Sequence, residues 1–313
     1  MKARVLAGLA ALAGLLWLPW LLPAYRLDFA ADTLALGLLA VSVTVLWGRC
    51  DLMSFGQSVF FGIGAYCVAV IGTRSGAVGW LPLLLTVIVP AAVAGVIGYF
   101  LLYGGVRRAL FAIVTLPLTA IAGSVALAWG DLTNGQTGLY LYPPLELGPG
   151  LVFDDSVSRY YLTLAVCVAV CTATVLVLRS RHGRALSAIA TNEAKAVSLG
   201  IPAPLYLTLA FTAAGAVAGI GGGLYALTTQ VTSAELVGLL LATEAVAWAA
   251  VGGRGNVYRA VAAVLVVRLL QQVVTAVVPQ AWPILLGLFF VGVVLLAPRV
   301  TEALRQRRAG VAP

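Results

Sequence analysis

The sequence predicts an all-α polytopic membrane protein with about ten transmembrane helices, and three observations predict it. The first is composition: of 313 residues, 62% are hydrophobic and only 10% charged, against about 25% charged residues in a soluble domain. The second is arrangement. The apolar residues form long blocks, not the periodic stripes of a water-facing helix, and mean hydropathy reaches +1.04. The third is length. A helix rises about 1.5 Å per residue, so about 20 apolar residues cross a hydrocarbon core of about 30 Å. The alternation that membrane strands require is missing.

The blocks run in order. Val5–Leu22 follows Lys2 and Arg4. It is long for a signal-peptide core, and Leu22, Pro23 and Ala24 make a poor cleavage site, so a retained first helix is expected. Phe29–Trp47 stops at Arg49, and Met53–Ile71 opens on polar residues. Trp80–Tyr103 and Leu110–Trp129 flank Arg107 and Arg108, while Tyr160–Leu178 stops at Arg179. Tyr206–Thr228 precedes Leu236–Val251 and Tyr258–Val278, which flank a glycine-rich turn, and Ala281–Leu296 ends before Arg299.

Charge tests the count. With both the N-terminus and the C-terminus cytoplasmic, about 15 Lys and Arg residues fall in cytoplasmic segments. Only Arg26, Arg74 and Arg159 fall outside, and Arg268 lies within a span. The positive-inside rule then holds at every loop, and one missed span would spoil it. The net charge of +8 therefore reads as membrane topology and not as nucleic-acid binding. The whole chain, 1–313, reads as one transmembrane domain with a cytoplasmic loop at 179–204. Cys50, Cys67, Cys167 and Cys171 lie in or beside apolar blocks without metal or redox spacing, so they read as packing residues. No cofactor is expected.

Five features carry functional expectations. The segment Arg184–Gly200 is too polar to span. Leu186, Ile189, Ala190 and Leu199 give it one apolar side, and Gly200 is a natural C-terminal cap. Such an element suits a lever that receives force from a separate ATPase; an interfacial helix on lipid is the alternative. Ser54, Gln57 and Ser58, with Gly56, Gly62 and Gly64, give the third block a polar, glycine-rich start. Broken helices beside a translocation pathway look like this, as does small-residue packing. Gly215, Gly219 and Gly223 fall four apart, a flat seam for a neighbouring helix, and Gly219–Gly223 faintly echoes Gly62–Tyr66 as the halves of an inverted repeat would. Glu244 and Arg268 are placed deep in adjacent spans at matching depth, each costing about 2.5–3.5 kcal/mol there, and are expected to pair, as a structural ion pair or, alternatively, as a contact with the substrate or its pathway. Thr133–Leu139 is turn chemistry, its Asn and Gly supplying positive φ.

Across Leu52–Tyr66, Gly183–Gly200, Ala210–Gly219 and Val251–Gly255 the chain resembles the LivM-type permeases of the branched-chain amino acid and urea importers, within the ABC class. That resemblance covers about Thr33 to Pro298. It implies a second homologous permease subunit, cytoplasmic ATP-binding subunits, an external solute-binding protein and a place in the inner membrane. It makes Gly183–Gly200 the ATPase-coupling loop, with Arg184, Ile189, Asn192, Glu193 and Gly200 in it, and Gly252, Gly253 and Gly255 a cytoplasmic turn. The chain departs from the family pattern at Ala190, where an Arg is usual, at Leu207, where a Lys is common, and after Gly255. The stretch Glu244–Gly255 leans toward the urea branch.

The expected function is thus ATP-driven import of a small polar solute, a branched-chain amino acid or urea or a short amide. An ion-coupled secondary transporter is the alternative, with Glu244 its one deep carboxylate. No phosphate loop of the Gly-x-x-x-x-Gly-Lys-Ser/Thr type, no His-Glu-x-x-His and no nucleophile–base arrangement is present. The chain is therefore not expected to be an enzyme.

Overall fold

Long apolar runs closed by glycine, proline and charge fold as helices. The computed structural model describes residues 13–106, 108–148, 152–253, 255–278, 282–289 and 292. After a helical stretch at 13–21 come α1 (Ala24–Cys50), α2 (Gln57–Ser75), α3 (Trp80–Tyr103), α4 (Arg108–Ala128) and the short α5 (Gly130–Thr133). Then follow α6 (Ser156–Arg179), α7 (Arg181–Thr191), α8 (Glu193–Ser198), α9 (Ala203–Thr229), α10 (Leu239–Gly252) and α11 (Val257–Val277). Four two-residue strands, β1 (Leu139–Tyr140), β2 (Leu145–Glu146), β3 (Val152–Phe153) and β4 (Val231–Thr232), pair antiparallel as β1 with β4 and β2 with β3.

Among the described residues seven helices are long and apolar enough to cross a membrane: α1, α2, α3, α4, α6, α9 and α11. Two predicted blocks, Val5–Leu22 and Ala281–Leu296, lie partly outside the described residues. A third, Leu236–Val251, is not a full span. Its helix, α10, has 14 residues, about 21 Å at the usual rise, short of a hydrocarbon core of about 30 Å. The chain falls into two compact units, Met1–Leu265 and Val266–Pro313.

In the first unit, α1 and α9 form the centre. A helix apolar on all sides is a buried one, and Leu38, Leu39, Ala40 and Val41 of α1 are fully buried. α9 packs on α1, α2 and α3, and glycine makes the approach possible. A Cβ on Gly64 of α2 would overlap the backbone of Gly219. One on Gly222 would overlap the carbonyl of Phe61, and one on Gly219 would overlap Thr86 and Pro90 of α3. The two glycine stretches that echo each other in sequence are therefore pressed together in space. Phe211 of α9 joins α2 and α4 through edge-on contacts with Phe60 and Phe111, at 5.4 and 5.2 Å between ring centres.

At the Thr229 end of α9 a polar clamp ties three helices. Arg159 of α6 donates to the carbonyl of Thr228 at 3.0 Å and lies 3.8 Å from the Asp28 carboxylate of α1. Ser156 donates to Asp28 at 3.0 Å, and Thr228 donates to Asp32 of α1. Tyr142 adds a plug above α2 and α9: its buried hydroxyl donates to the carbonyl of Ala226 at 2.6 Å, within a cluster containing Ala65, Val68 and Leu227. Tyr160 and Tyr161 of α6 hold the stretch at 13–21 by donating to the carbonyls of Leu15 and Leu16.

Candidate functional site

Three places stand out as candidate sites, two of them expected from the sequence. The first is the polar connection between α6 and α9. It folds as two helices, because Asn192 breaks the run: its backbone is extended, and its side-chain oxygen accepts from the amide of Lys195 at 3.0 Å, capping α8. Leu186 and Ile189 are buried, as their spacing predicts. Leu199 is not; it is 74% exposed, and Val197 is 52% exposed, while Ala196 is the buried residue of α8. Gly200 closes the segment at φ +84°. Arg184 turns back to the carbonyl of Arg179 at 3.3 Å, and Gly183 sits against the carbonyl of Leu178, where a Cβ would overlap it. Arg49 of α1 donates to Ser187 at 3.4 Å.

Those last groups border a cleft of about 390 Å³ between the end of α1 and α7, lined among others by Arg49, Asp51, Ser187, Ala190 and Gly255. Ala190, one of the family departures, thus leaves open space beside Arg49. Leu207, another, is fully buried. The turn between α10 and α11 uses Gly253 and Gly255 at φ +81° and +85°, and Gly252 lies so close to Ala260 that a Cβ would come within 2.8 Å of its Cα.

The second place is the start of α2. Residues 51–56 are not helical, so the block read from Met53 begins as uncoiled chain. α4 holds it: the amide of Phe55 donates to Thr115 at 3.1 Å, and Thr119 donates to the carbonyl of Phe55 at 3.0 Å. Ser54 accepts from the amide of Gly56 at 3.1 Å. Gln57 is 1% exposed, and neither its amide oxygen nor its amide nitrogen has a hydrogen-bond partner. Buried amides are nearly always paired, so this side chain is an exception. Gly62 and Gly64 serve close packing, against Val237 and Gly219.

The third place was not read from the sequence. After β4 the chain does not leave the bundle. It turns inward as a 3-10 turn, Ala234–Val237, beside α2. Ser58 donates to the carbonyl of Val237 at 3.4 Å, so this re-entrant segment reaches the first third of α2. The half-length α10 starts from there. Between the segment and the second half of α4 lies a cleft of about 670 Å³, lined by Thr119, Ser124, Gln136, Ser233, Glu235 and Gly238 among others. The loop feeding it has the predicted turn chemistry: Asn134, Gly135 and Gly138 take φ of +60°, +57° and +72°.

Glu244 is 7% exposed within α10 in the first unit. Arg268 belongs to the second unit, where it donates to Gln271 at 3.3 Å.

A bundle of apolar helices, a polar two-helix connection and a re-entrant half-helix define a membrane permease. A family profile described as branched-chain amino acid transport system, permease component, matches residues 25–297, and the chain belongs to that family. Among curated proteins it is 28% identical, over 273 residues, to the high-affinity branched-chain amino acid transport system permease protein LivM of Salmonella typhimurium and, at the same identity, to that of Escherichia coli. Each match covers 80% of this chain and 64% of the relative, so the chain spans a little under two thirds of their length. No solved structure matches.

Proposed function

We propose that this chain is the membrane-spanning permease subunit of an ABC importer for branched-chain amino acids, with its N- and C-termini in the cytoplasm. It works beside a second permease subunit, is driven by separate cytoplasmic ATP-binding subunits, and receives solute from an external binding protein. The observation that carries this is the α7–α8 element. It is folded, anchored through Ser187 to Arg49, and presents Val197 and Leu199 outward beside Lys195. Exposed apolar residues on a polar connection mark a contact surface, and on the side where Lys and Arg gather that surface faces the ATPase. The uncoiled start of α2, with Ser54, Gln57 and Ser58, borders the moving part of the pathway.

The test is uptake by the assembled importer in vesicles, with ATP inside, for labelled leucine and labelled urea, with and without an uncoupler. Leucine uptake that needs ATP and ignores the uncoupler supports the reading. Uptake abolished by the uncoupler at constant ATP makes the chain an ion-coupled transporter, and uptake of urea alone moves it to the urea branch.

A further inference from the structure

We propose that the cleft between α4 and the re-entrant segment is a solute-binding station, and that Glu235 in it holds the ammonium group of an α-amino acid with an apolar side chain. The proposal rests on the permease reading above and names the substrate-contacting residue of that pathway.

Position comes first. Thr119 stands midway along α4, and Gly238 caps a helix too short to span. The cleft joins both to Gln136 of the outer loop. It therefore runs from the outer surface to mid-depth, as the open half of a path does. Its volume of about 670 Å³ falls in the range of about 300–1,000 Å³ usual for small-molecule sites.

Chemistry comes second. Glu235 is the one acidic side chain in the lining; Thr119, Ser124, Gln136 and Ser233 are uncharged polar groups, and Ala120, Leu127 and Leu239 give apolar wall. Among the described residues the Glu235 carboxylate has no ion-pair partner. A carboxylate at depth is costly unless a cation or water faces it, and a solute ammonium group offsets that cost while the apolar wall takes the side chain. The same geometry selects. A charge-assisted hydrogen bond is about twice as strong as a neutral one, so the site favours an ammonium over the uncharged N–H groups of urea.

The experiment uses the complete importer in phosphatidylglycerol vesicles, where no lipid ammonium competes. Glu235→Gln is expected to raise the KM for leucine roughly ten-fold, with ATPase stimulation by loaded binding protein retained and Glu235→Asp recovering part of the loss. A wild-type KM in Glu235→Gln overturns the proposal. Absence of ATP-driven uptake in the wild type instead overturns the permease reading. Should Glu235→Gln fail to assemble, Ser233→Cys reports directly: a water-soluble charged thiol reagent labels it, and leucine slows labelling while urea does not. Labelling that leucine leaves unchanged, or that urea slows equally, overturns the proposal.

Discussion

Helix α2 lies between two unlike neighbours. Toward α9 its backbone is in direct contact, through Gly64 against Gly219 and Phe61 against Gly222, with no room for one added carbon. Toward α4 and the re-entrant segment it meets uncoiled chain, the unpartnered amide of Gln57 and a long 3.4 Å hydrogen bond from Ser58, and an open cleft separates those two neighbours from each other. Close-packed backbones lose much contact energy on any small shift, whereas a loose polar contact exchanges partners at little cost. The difference assigns the work. On the function proposed above, the α9 side is the frame of the permease and the α4 side is where the path opens.

The sharpest way to break this comparison is to add bulk to the frame. Gly222→Leu is expected to cost about 3 kcal/mol or more and to yield little folded protein by size exclusion in detergent. A well-folded variant would show that the seam yields. Next comes the clamp at the Thr229 end. Arg159→Ala leaves Asp28 without its cation and the carbonyl of Thr228 without its donor. Both side chains are partly solvated, so about 2 kcal/mol is expected, seen as a lowered Tm. An unchanged Tm would remove the clamp from the frame.

The frame was largely legible in sequence, because run length and glycine spacing are local signals. Seven predicted spans and the glycine seam need no long-range information. The positive-φ turn at Asn134–Gly138 is legible for the same reason. The path side was not. Nothing in the composition of Ala234–Val251 says that its first turn is 3-10 and lies beside α2; a hydrogen bond between residues 179 apart, Ser58 and Val237, marks that. Glu235 was therefore passed over as a loop residue. Leu199 was misplaced for a simpler reason. Its predicted face assumes one continuous helix from Arg184, and the break at Asn192 resets the phase of every residue after it. Asp28, Asp32 and Arg159 are separate charges in the sequence and become one clamp only when α1, α6 and α9 meet.

On the path side the expected sign reverses. Gln57→Leu removes two buried polar atoms that have no partners and keeps similar volume, so stability is expected to stay level or rise by about 1 kcal/mol. Uptake of leucine is expected to fall several-fold, because the amide is then missing from the moving contact. A stability loss as large as that of Arg159→Ala would show that Gln57 belongs to the frame after all.

The smallest expected effect concerns Tyr142, the plug above the seam. Tyr142→Phe loses the hydrogen bond to Ala226, worth about 1 kcal/mol. Burial pushes the phenol's pKa well above its ordinary value, so the folded protein keeps this proton where the unfolded chain releases it, near pH 10. The site's contribution is complete below about pH 10 and is lost as the pH climbs toward the folded value. Phenylalanine has no proton to lose. The stability gap between wild type and Tyr142→Phe is therefore expected to hold steady from neutral pH to about pH 9 and to narrow above about pH 10. Denaturation midpoints of the two proteins across that range measure it. A gap that stays constant to the alkaline limit would mean that water reaches the hydroxyl, and that the frame is open at its Tyr142 end.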